Sequence, residues 1–296
     1  MNIIMTGSKG LIGSALTCLL GKESHRITRL VRSAPEPGEL SWNPDRGTID
    51  GAKLEGFDAV IHLGGDPIAE GRWNEAKKAR IRDSRIRNTR LLAETVASLQ
   101  NTPEVFLCAS AVGFYGNRGD TVLNEDSPAG SGFLAEVGTG WEAACEPLRK
   151  RGIRVVNLRF GIVLSPKGGA LKKMLPPFRL GLGGSFGNGR QYISWISLDD
   201  AAGAVRHALL NSQVSGPVNV VSPSPVTNAE FSRILGKTLH RPAVLPVPAF
   251  AVRLLFGEMA DETLLASTRA EPAKLIKTGY SFRHPDLETA LRRLLN

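Results

Sequence analysis

Apolar positions along the chain follow two rhythms. Residues 2–5 form a short apolar run that ends at Thr6-Gly7, and beyond it Leu11, Ile12, Ala15, Leu16, Leu19 and Leu20 recur at helical spacing. Residues 27–31 then read as a second strand. Strand, glycine-rich turn, helix and strand within about thirty residues make one βαβ unit. Further apolar runs occupy residues 59–63, 105–109, 153–158 and 218–221, and helical patterns cover residues 75–98 and about 136–150. This alternation predicts an α/β fold with a doubly wound, mostly parallel sheet. Beyond about Ser165 the chain turns rich in Gly and Pro up to Gly189, and again over residues 223–248. A smaller second lobe is expected there. Residues 1–165 would form the main domain, with returns from about 190–222, and residues 166–296 the second lobe.

The turn itself carries the most specific signal. In Met5-Thr6-Gly7-Ser8-Lys9-Gly10-Leu11-Ile12-Gly13, Gly7 suits a tight turn after a strand. Gly10 would let backbone approach a pyrophosphate, and Gly13 would let the helix pack close to the sheet. An anion at the helix N-terminus would meet unpaired N–H groups and the favourable end of the dipole. The spacing is GxxGxxG rather than GxGxxG, and a plain glycine-rich surface turn is the competing reading. Its position between a strand and a helix favours a dinucleotide.

NAD sites usually place an acid at the end of the second strand, to bond the adenine ribose. Here that strand ends Leu30-Val31-Arg32-Ser33. A guanidinium suits a 2′-phosphate through its charge and planar donor fork, so NADP(H) is the expected cofactor; a solvent-exposed strand-end arginine is the alternative. His62-Leu63-Gly64-Gly65 ends a later strand, where its glycines would either let the adenosine part pass or simply make a turn.

Composition narrows the classes of partner. The 296 residues carry 37 Lys+Arg against 28 Asp+Glu, a formal net charge of +9, with 42% hydrophobic and 22% charged positions. These proportions exclude a collagen repeat, an acidic disordered tail and a disulfide scaffold. Cys18, Cys108 and Cys145 are widely spaced, and no His or Cys pair has zinc-ligand spacing, so no metal and a reducing, cytoplasmic compartment are expected. No window of 18 residues is continuously apolar and the N-terminus has no basic leader region, so neither a spanning segment nor a signal peptide is expected. The helical pattern over residues 75–98 holds Lys77, Lys78, Arg80, Arg82, Arg85, Arg87 and Arg90. These charges spread around the helix with Trp73 the one aromatic nearby. That ranks a solvated face first, cofactor contact through Ser84, Arg85 or Asn88 second, and nucleic acid third.

Several longer stretches resemble a known family. Thr6 through Gly13, Asn88-Thr89-Arg90-Leu91-Leu92, Ser110 through Gly116 and Trp195-Ile196-Ser197-Leu198-Asp199-Asp200 look like extended short-chain dehydrogenase/reductases. Asp66-Pro67-Ile68-Ala69 with Arg72-Trp73, residues 174–184, and Gly187-Asn188-Gly189-Arg190-Gln191-Tyr192 narrow the likeness to the atypical YfcH-like epimerase branch. The resemblance runs end to end, including a C-terminal small domain of unknown function from about Pro246. It implies a Rossmann-type cofactor domain that binds NADP(H) at Gly7, Gly10, Leu11 and Ile12, at Arg32 and near Leu63, with a C-terminal substrate lobe; the reading of the residues themselves adds Gly13, His62, Gly64 and Ser84 to the candidate cofactor contacts.

Reductases of this superfamily use a Tyr as acid/base and a Lys four residues later, on one helix face. Tyr115, Tyr192 and Tyr280 are followed four residues later by Gly119, Ile196 and His284, and the matching helix positions hold Leu134 and Gly138. The ordinary pair is absent. Ser110, at a strand end, and Tyr115 are the candidate replacements; a capping hydroxyl and a packed aromatic are the plainer readings. Arg190, Gln191 and Trp195 follow a glycine loop and could contact an anionic substrate, although Trp195 could equally be core and Asp199 a helix cap. The expectation is an NADP-dependent oxidoreductase or epimerase acting on a small anionic substrate with non-standard acid/base groups. The alternative is an NADPH-binding sensor or interaction protein with little or no catalysis. Substrate and oligomeric state are not legible.

Overall fold

The computed structural model describes residues 1–295. One sheet of eight strands organises the chain: β1 (Asn2–Thr6), β2 (Arg26–Val31), β3 (Glu39–Asn43), β4 (Thr48–Ile49), β5 (Ala59–His62), β6 (Val105–Ala111), β7 (Arg154–Phe160) and β8 (Gly216–Val220). Their order across the sheet is β8-β7-β6-β5-β1-β2-β3-β4. All neighbours are parallel except the β3–β4 hairpin. Strand order reverses on either side of β1, which opens a crevice beyond its C-terminal end. β3 and β4 lie outside every apolar run read from the sequence, because this edge hairpin reaches the core through only Trp42, with Leu40 and Ile49 partly buried beside it.

Helices cover both faces. α1 (Leu11–Gly21) and α6 (Leu198–Leu210) pack on one side, where Leu16, Leu20, Val205 and Ala208 meet Ile3, Met5, Ile61 and Leu107. α2 (Glu75–Ala97), α3 (Phe133–Ala143) and α4 (Glu146–Lys150) take the other, with Leu92, Val96, Trp141 and Leu148 against Ile4, Val60 and Phe106. The helix expected over residues 136–150 is therefore two. Pro147 has no N–H to give residue 143 and its ring collides with that carbonyl, so the first helix stops there.

The second lobe has its own small core. α5 (Gly169–Arg179), α7 (Asn228–Thr238) and α10 (Leu287–Leu295) bury Leu171, Leu175, Phe178, Phe231, Leu235 and Leu291 around Trp195. α8 (Ala249–Phe256) lies in the same C-terminal region, whereas α9 (Ala273–Lys277) packs Leu275 into the main-sheet core. β8 returns from this region to the main sheet. Among the described residues no helix is long and apolar enough to cross a membrane, and no group of His, Cys, Asp or Glu could hold a metal ion.

Candidate functional site

The crevice at the end of β1 is built from glycines in forced positions. Gly7 has φ +69°, and a Cβ on it would fall 2.7 Å from the carbonyl carbon of Leu63. The turns after β1 and β5 thus touch, which brings Gly7, Leu63 and Gly64 together. A Cβ on Gly13 would fall 2.2 Å from the Gly7 carbonyl oxygen, so α1 can approach the loop this closely only without a side chain there. The Gly10 N–H donates to that same oxygen at 3.0 Å. Gly10 caps α1 without a side-chain hydrogen bond, and the first turn, with Leu11 and Ile12, holds no acid. A helix start with no acceptor of its own suits an anionic group.

Arg32 follows β2, the neighbour of β1, and is exposed. It lines a cavity of about 580 Å³ together with Ser33, Pro35, Ser41, Trp42 and Asn43. A phosphate-bearing nucleotide fits this arrangement. The glycine cradle would take the pyrophosphate, and Arg32, at the end of the neighbouring strand, shares its cavity with Asp50 but forms no ion pair among the described residues.

His62 and Ser84 are engaged elsewhere. His62 is wholly internal; its Nδ1 pairs with Thr6 Oγ1 at 2.7 Å and its Nε2 with Thr89 Oγ1 at 3.0 Å. Burial pushes its imidazole down to about 4, so it is neutral and ties β5 to β1 and α2. Ser84 accepts from the Asp66 N–H at 3.0 Å. It pins a strap, residues 64–74, which Lys77 also holds through Asp66 and the Pro67 carbonyl. Arg85 donates to the Asp66 carbonyl at 3.0 Å, and burial lowers its guanidinium to about 10. The strap reaches the second lobe where Lys173 donates to the Ala69 carbonyl and Arg72 to that of Leu254.

Ser110 and Tyr115 turn away from the crevice. Strand alternation points Ser110 at α3, leaving Ala111 exposed at the strand end. Ser110 is 3% exposed and donates to Glu142 at 2.8 Å. Glu142 is clamped by Arg159 through two bonds of 2.8 and 2.9 Å. Arg159 also donates to the Tyr115 hydroxyl at 2.9 Å, and that hydroxyl lies 2.7 Å from Asn219 Oδ1 and 2.8 Å from the Asn124 carbonyl. Burial pushes the Tyr115 phenol above its ordinary range, against the pull of Arg159. Sequence reading missed this network. An arginine inside the apolar strand Arg154–Phe160 was its one visible trace.

The missing Tyr–Lys pair has a steric counterpart. Leu134 packs on Gly113, whose Cβ would lie 3.3 Å from the leucine Cβ. A Cβ on Gly138 would meet Phe114 Cα at 3.2 Å and Cβ at 3.3 Å. Helix α3 therefore sits too close to the Val112–Tyr115 turn to carry a lysine at 138 without displacement. Its N-terminus is capped from the second lobe, where Glu262 accepts from the N–H groups of Phe133 and Leu134 at 3.1 and 3.0 Å.

The three candidate substrate residues separate. Arg190 is exposed and lines a cavity of about 310 Å³ with Asp120, Asn188 and Arg253. Gln191 also borders it, but its amide N–H₂ donates to the carbonyls of Phe186 and Leu264 at 3.1 and 3.0 Å. Trp195 is wholly buried and donates to the Ser224 carbonyl, which makes it core. Asp199 is not the helix cap; Ser197 is, accepting from the Asp200 N–H.

Comparison with known proteins matches this architecture. Residues 3–221 fit the model of the NAD dependent epimerase/dehydratase family, and residues 247–294 fit a domain of unknown function (DUF1731). The chain is 47% identical over 290 residues to "Epimerase family protein Mb2239" of Mycobacterium bovis, covering 98% of this chain and 96% of that one. A crystal structure of human epimerase family protein SDR39U1 (isoform 2) with NADPH superposes at a TM-score of 0.91 with 36% identity, covering 99% of both chains. The nucleoside-diphosphate sugar epimerase from Corynebacterium glutamicum gives a TM-score of 0.82 with 38% identity, over all of this chain and 58% of that one. The chain belongs to the NAD dependent epimerase/dehydratase family.

Proposed function

We propose that this chain binds NADP(H) in the crevice beyond β1 and works there as an epimerase-like oxidoreductase of the atypical, YfcH-like branch. The observation that carries the reading is the uncapped, acid-free start of α1 beneath the Gly7–Gly13 turn, with Arg32 at the end of the next strand. NADPH in the crystal structure of the human relative supports it. When bound, such a cofactor supplies a hydride. Gly7, Gly10, Gly13 and the first N–H groups at Leu11 and Ile12 hold the pyrophosphate, Arg32 the 2′-phosphate, and Leu63 and Gly64 the flank.

The substrate in this proposal is a small anion, with Arg190 its charged contact in the cavity beside Asn188. A nucleoside-diphosphate sugar, the class in the name of the Corynebacterium relative, is one such anion. Residues 1–165, with returns from about 190–222, serve the cofactor, and residues 166–296 the substrate, in a reducing cytoplasmic compartment. Ser110 and Tyr115 act as positioning residues that fix the sheet edge through Glu142 and Arg159, because both hydroxyls are already engaged.

That same engagement favours a second reading, an NADPH sensor with little or no catalysis. Two measurements separate the cases. In an Arg32→Asp variant NADPH should bind about tenfold to a hundredfold more weakly while NADH holds or gains; unchanged NADPH affinity would sink the cofactor assignment. NADPH oxidation or epimer formation with a panel of anionic carbonyl compounds and sugar nucleotides supports an enzyme, and silence across the panel with tight NADPH binding supports the sensor.

A further inference from the structure

The second lobe presents an apolar ridge whose exposed side chains line neither the Arg32 cavity nor the Arg190 cavity. Residues 179–187 run beside residues 241–249, joined by Arg241 to the Arg179 carbonyl at 3.0 Å, Val247 N–H to Ser185 at 2.8 Å and Gly187 N–H to Val247 at 2.8 Å. From this ribbon Leu180 stands 74% exposed and Val244 77%, with Leu182 and Leu245 beside them. The chain passes directly into α8, where Phe250 is 72% and Leu254 71% exposed, one helical turn apart and opposite the buried Val252. Large apolar side chains concentrated in one place on a water-facing surface mark an interaction site.

Charge identifies the partner. No Asp or Glu occurs between Glu146 and Asp199, or between Glu230 and Glu258. These two runs carry the ridge and hold 14 of the 37 Lys+Arg, so the rest of the chain has 23 basic against 28 acidic residues. The net charge of +9 is therefore the contribution of these runs. Arg179 and Arg241 flank the ridge, are exposed, and have no carboxylate partner among the described residues. Exposed Leu and Val beside unpaired Arg179 and Arg241, continued by Phe250 and Leu254 on α8 whose Arg253 pairs with Asp261, are the chemistry of a surface that lies on anionic lipid, apolar side chains at the acyl boundary and cations among the headgroups.

We infer that the ridge formed by residues 180–182, 244–245 and α8 seats the protein peripherally on an anionic membrane surface. A second copy of the chain fits less well, since it would bring Arg179 and Arg241 against their own kind. No spanning segment is needed, so the absence of a spanning segment from the sequence does not bear on this surface.

The test uses the full chain and sedimented vesicles of phosphatidylcholine, alone or mixed with phosphatidylglycerol. Binding should require phosphatidylglycerol and weaken as salt rises. Arg179→Gln and Arg241→Gln should each weaken it about fivefold. Phe250→Ser with Leu254→Ser should weaken it at least about tenfold, with the far-ultraviolet circular dichroism and thermal midpoint unchanged. The inference is overturned by no binding to mixed vesicles, or by equal binding to both kinds. It is also overturned by binding indifferent to Phe250→Ser with Leu254→Ser, or by a concentration-dependent dimer that this pair dissociates.

Discussion

The Glu142–Arg159 pair offers the sharpest structural perturbation. Arg159 is 4% and Glu142 12% exposed at the side chain, so both charges depend on each other rather than on water. Arg159→Met keeps the length and apolar stem but removes both bonds to Glu142 and those to Tyr115 and the Glu125 carbonyl. Glu142 is then left buried with Ser110 as its one hydrogen-bond donor. Breaking one side of such a pair costs about 3–5 kcal/mol. At about 2 °C per kcal/mol for a chain of this size, the thermal midpoint should fall by roughly 6–10 °C. Glu142→Leu in the same background removes the stranded charge and should restore most of that loss. Urea denaturation of wild type, both single variants and the double variant gives the coupling as a double-mutant cycle. A cost under about 1 kcal/mol for Arg159→Met, or a double variant as unstable as the two singles summed, would refute the reasoning. The network would then be a loosely solvated surface pair, and Ser110 and Tyr115 would be free for other work.

Three further outcomes follow from the geometry. His62 has its pKa depressed to about 4 in the fold against about 6.5 unfolded. Its contribution is full above pH 6.5 and is lost as pH falls toward 4, on the order of 3 kcal/mol; a His62→Gln variant should show a flatter stability profile across that window by chemical denaturation. Grafting the superfamily pair through Leu134→Tyr with Gly138→Lys should lower the thermal midpoint, by about 1–3 kcal/mol of overpacking against Phe114, and add no carbonyl reduction; a stable variant with new activity would contradict the packing argument. Gly13→Ala places a Cβ 2.2 Å from the Gly7 oxygen, so α1 must recede; calorimetry should show NADPH affinity lost along with about 1–3 kcal/mol of stability.

How much was legible differs by the range of the interactions. The opening βαβ unit was, because apolar period and glycine spacing act within a few residues, and Gly7, Gly10 and Gly13 carry their geometric reasons in their order. Six strands of the main sheet were visible as apolar runs for the same reason. The β3–β4 hairpin was not, since an edge pair needs little apolar content. Pro147 was a local signal for ending a helix, overlooked within a continuous apolar period. The site chemistry was harder. Tyr115 and its partner Asn219 lie 104 residues apart, and nothing near either one announces the other. Ser110 and Ala111 exchange roles through strand alternation alone, which a one-residue uncertainty in register conceals. Gln191 and His62 sit in recognisable stretches that suggest contacts, and Trp195 suggests a contact and core equally; the polar atoms of all three satisfy buried carbonyls and hydroxyls. α2 shows part of the basic excess openly, but its larger source is the absence of acids from two runs in which no single residue stands out.

The central claim, a crevice shaped for a dinucleotide carrying a 2′-phosphate, is tested most directly by calorimetric titration of the wild-type chain with NADPH and with NADH at one salt concentration. The account predicts NADPH binding at least about tenfold tighter than NADH, with one site per chain. Equal affinity for the two, or no binding of either, would contradict it.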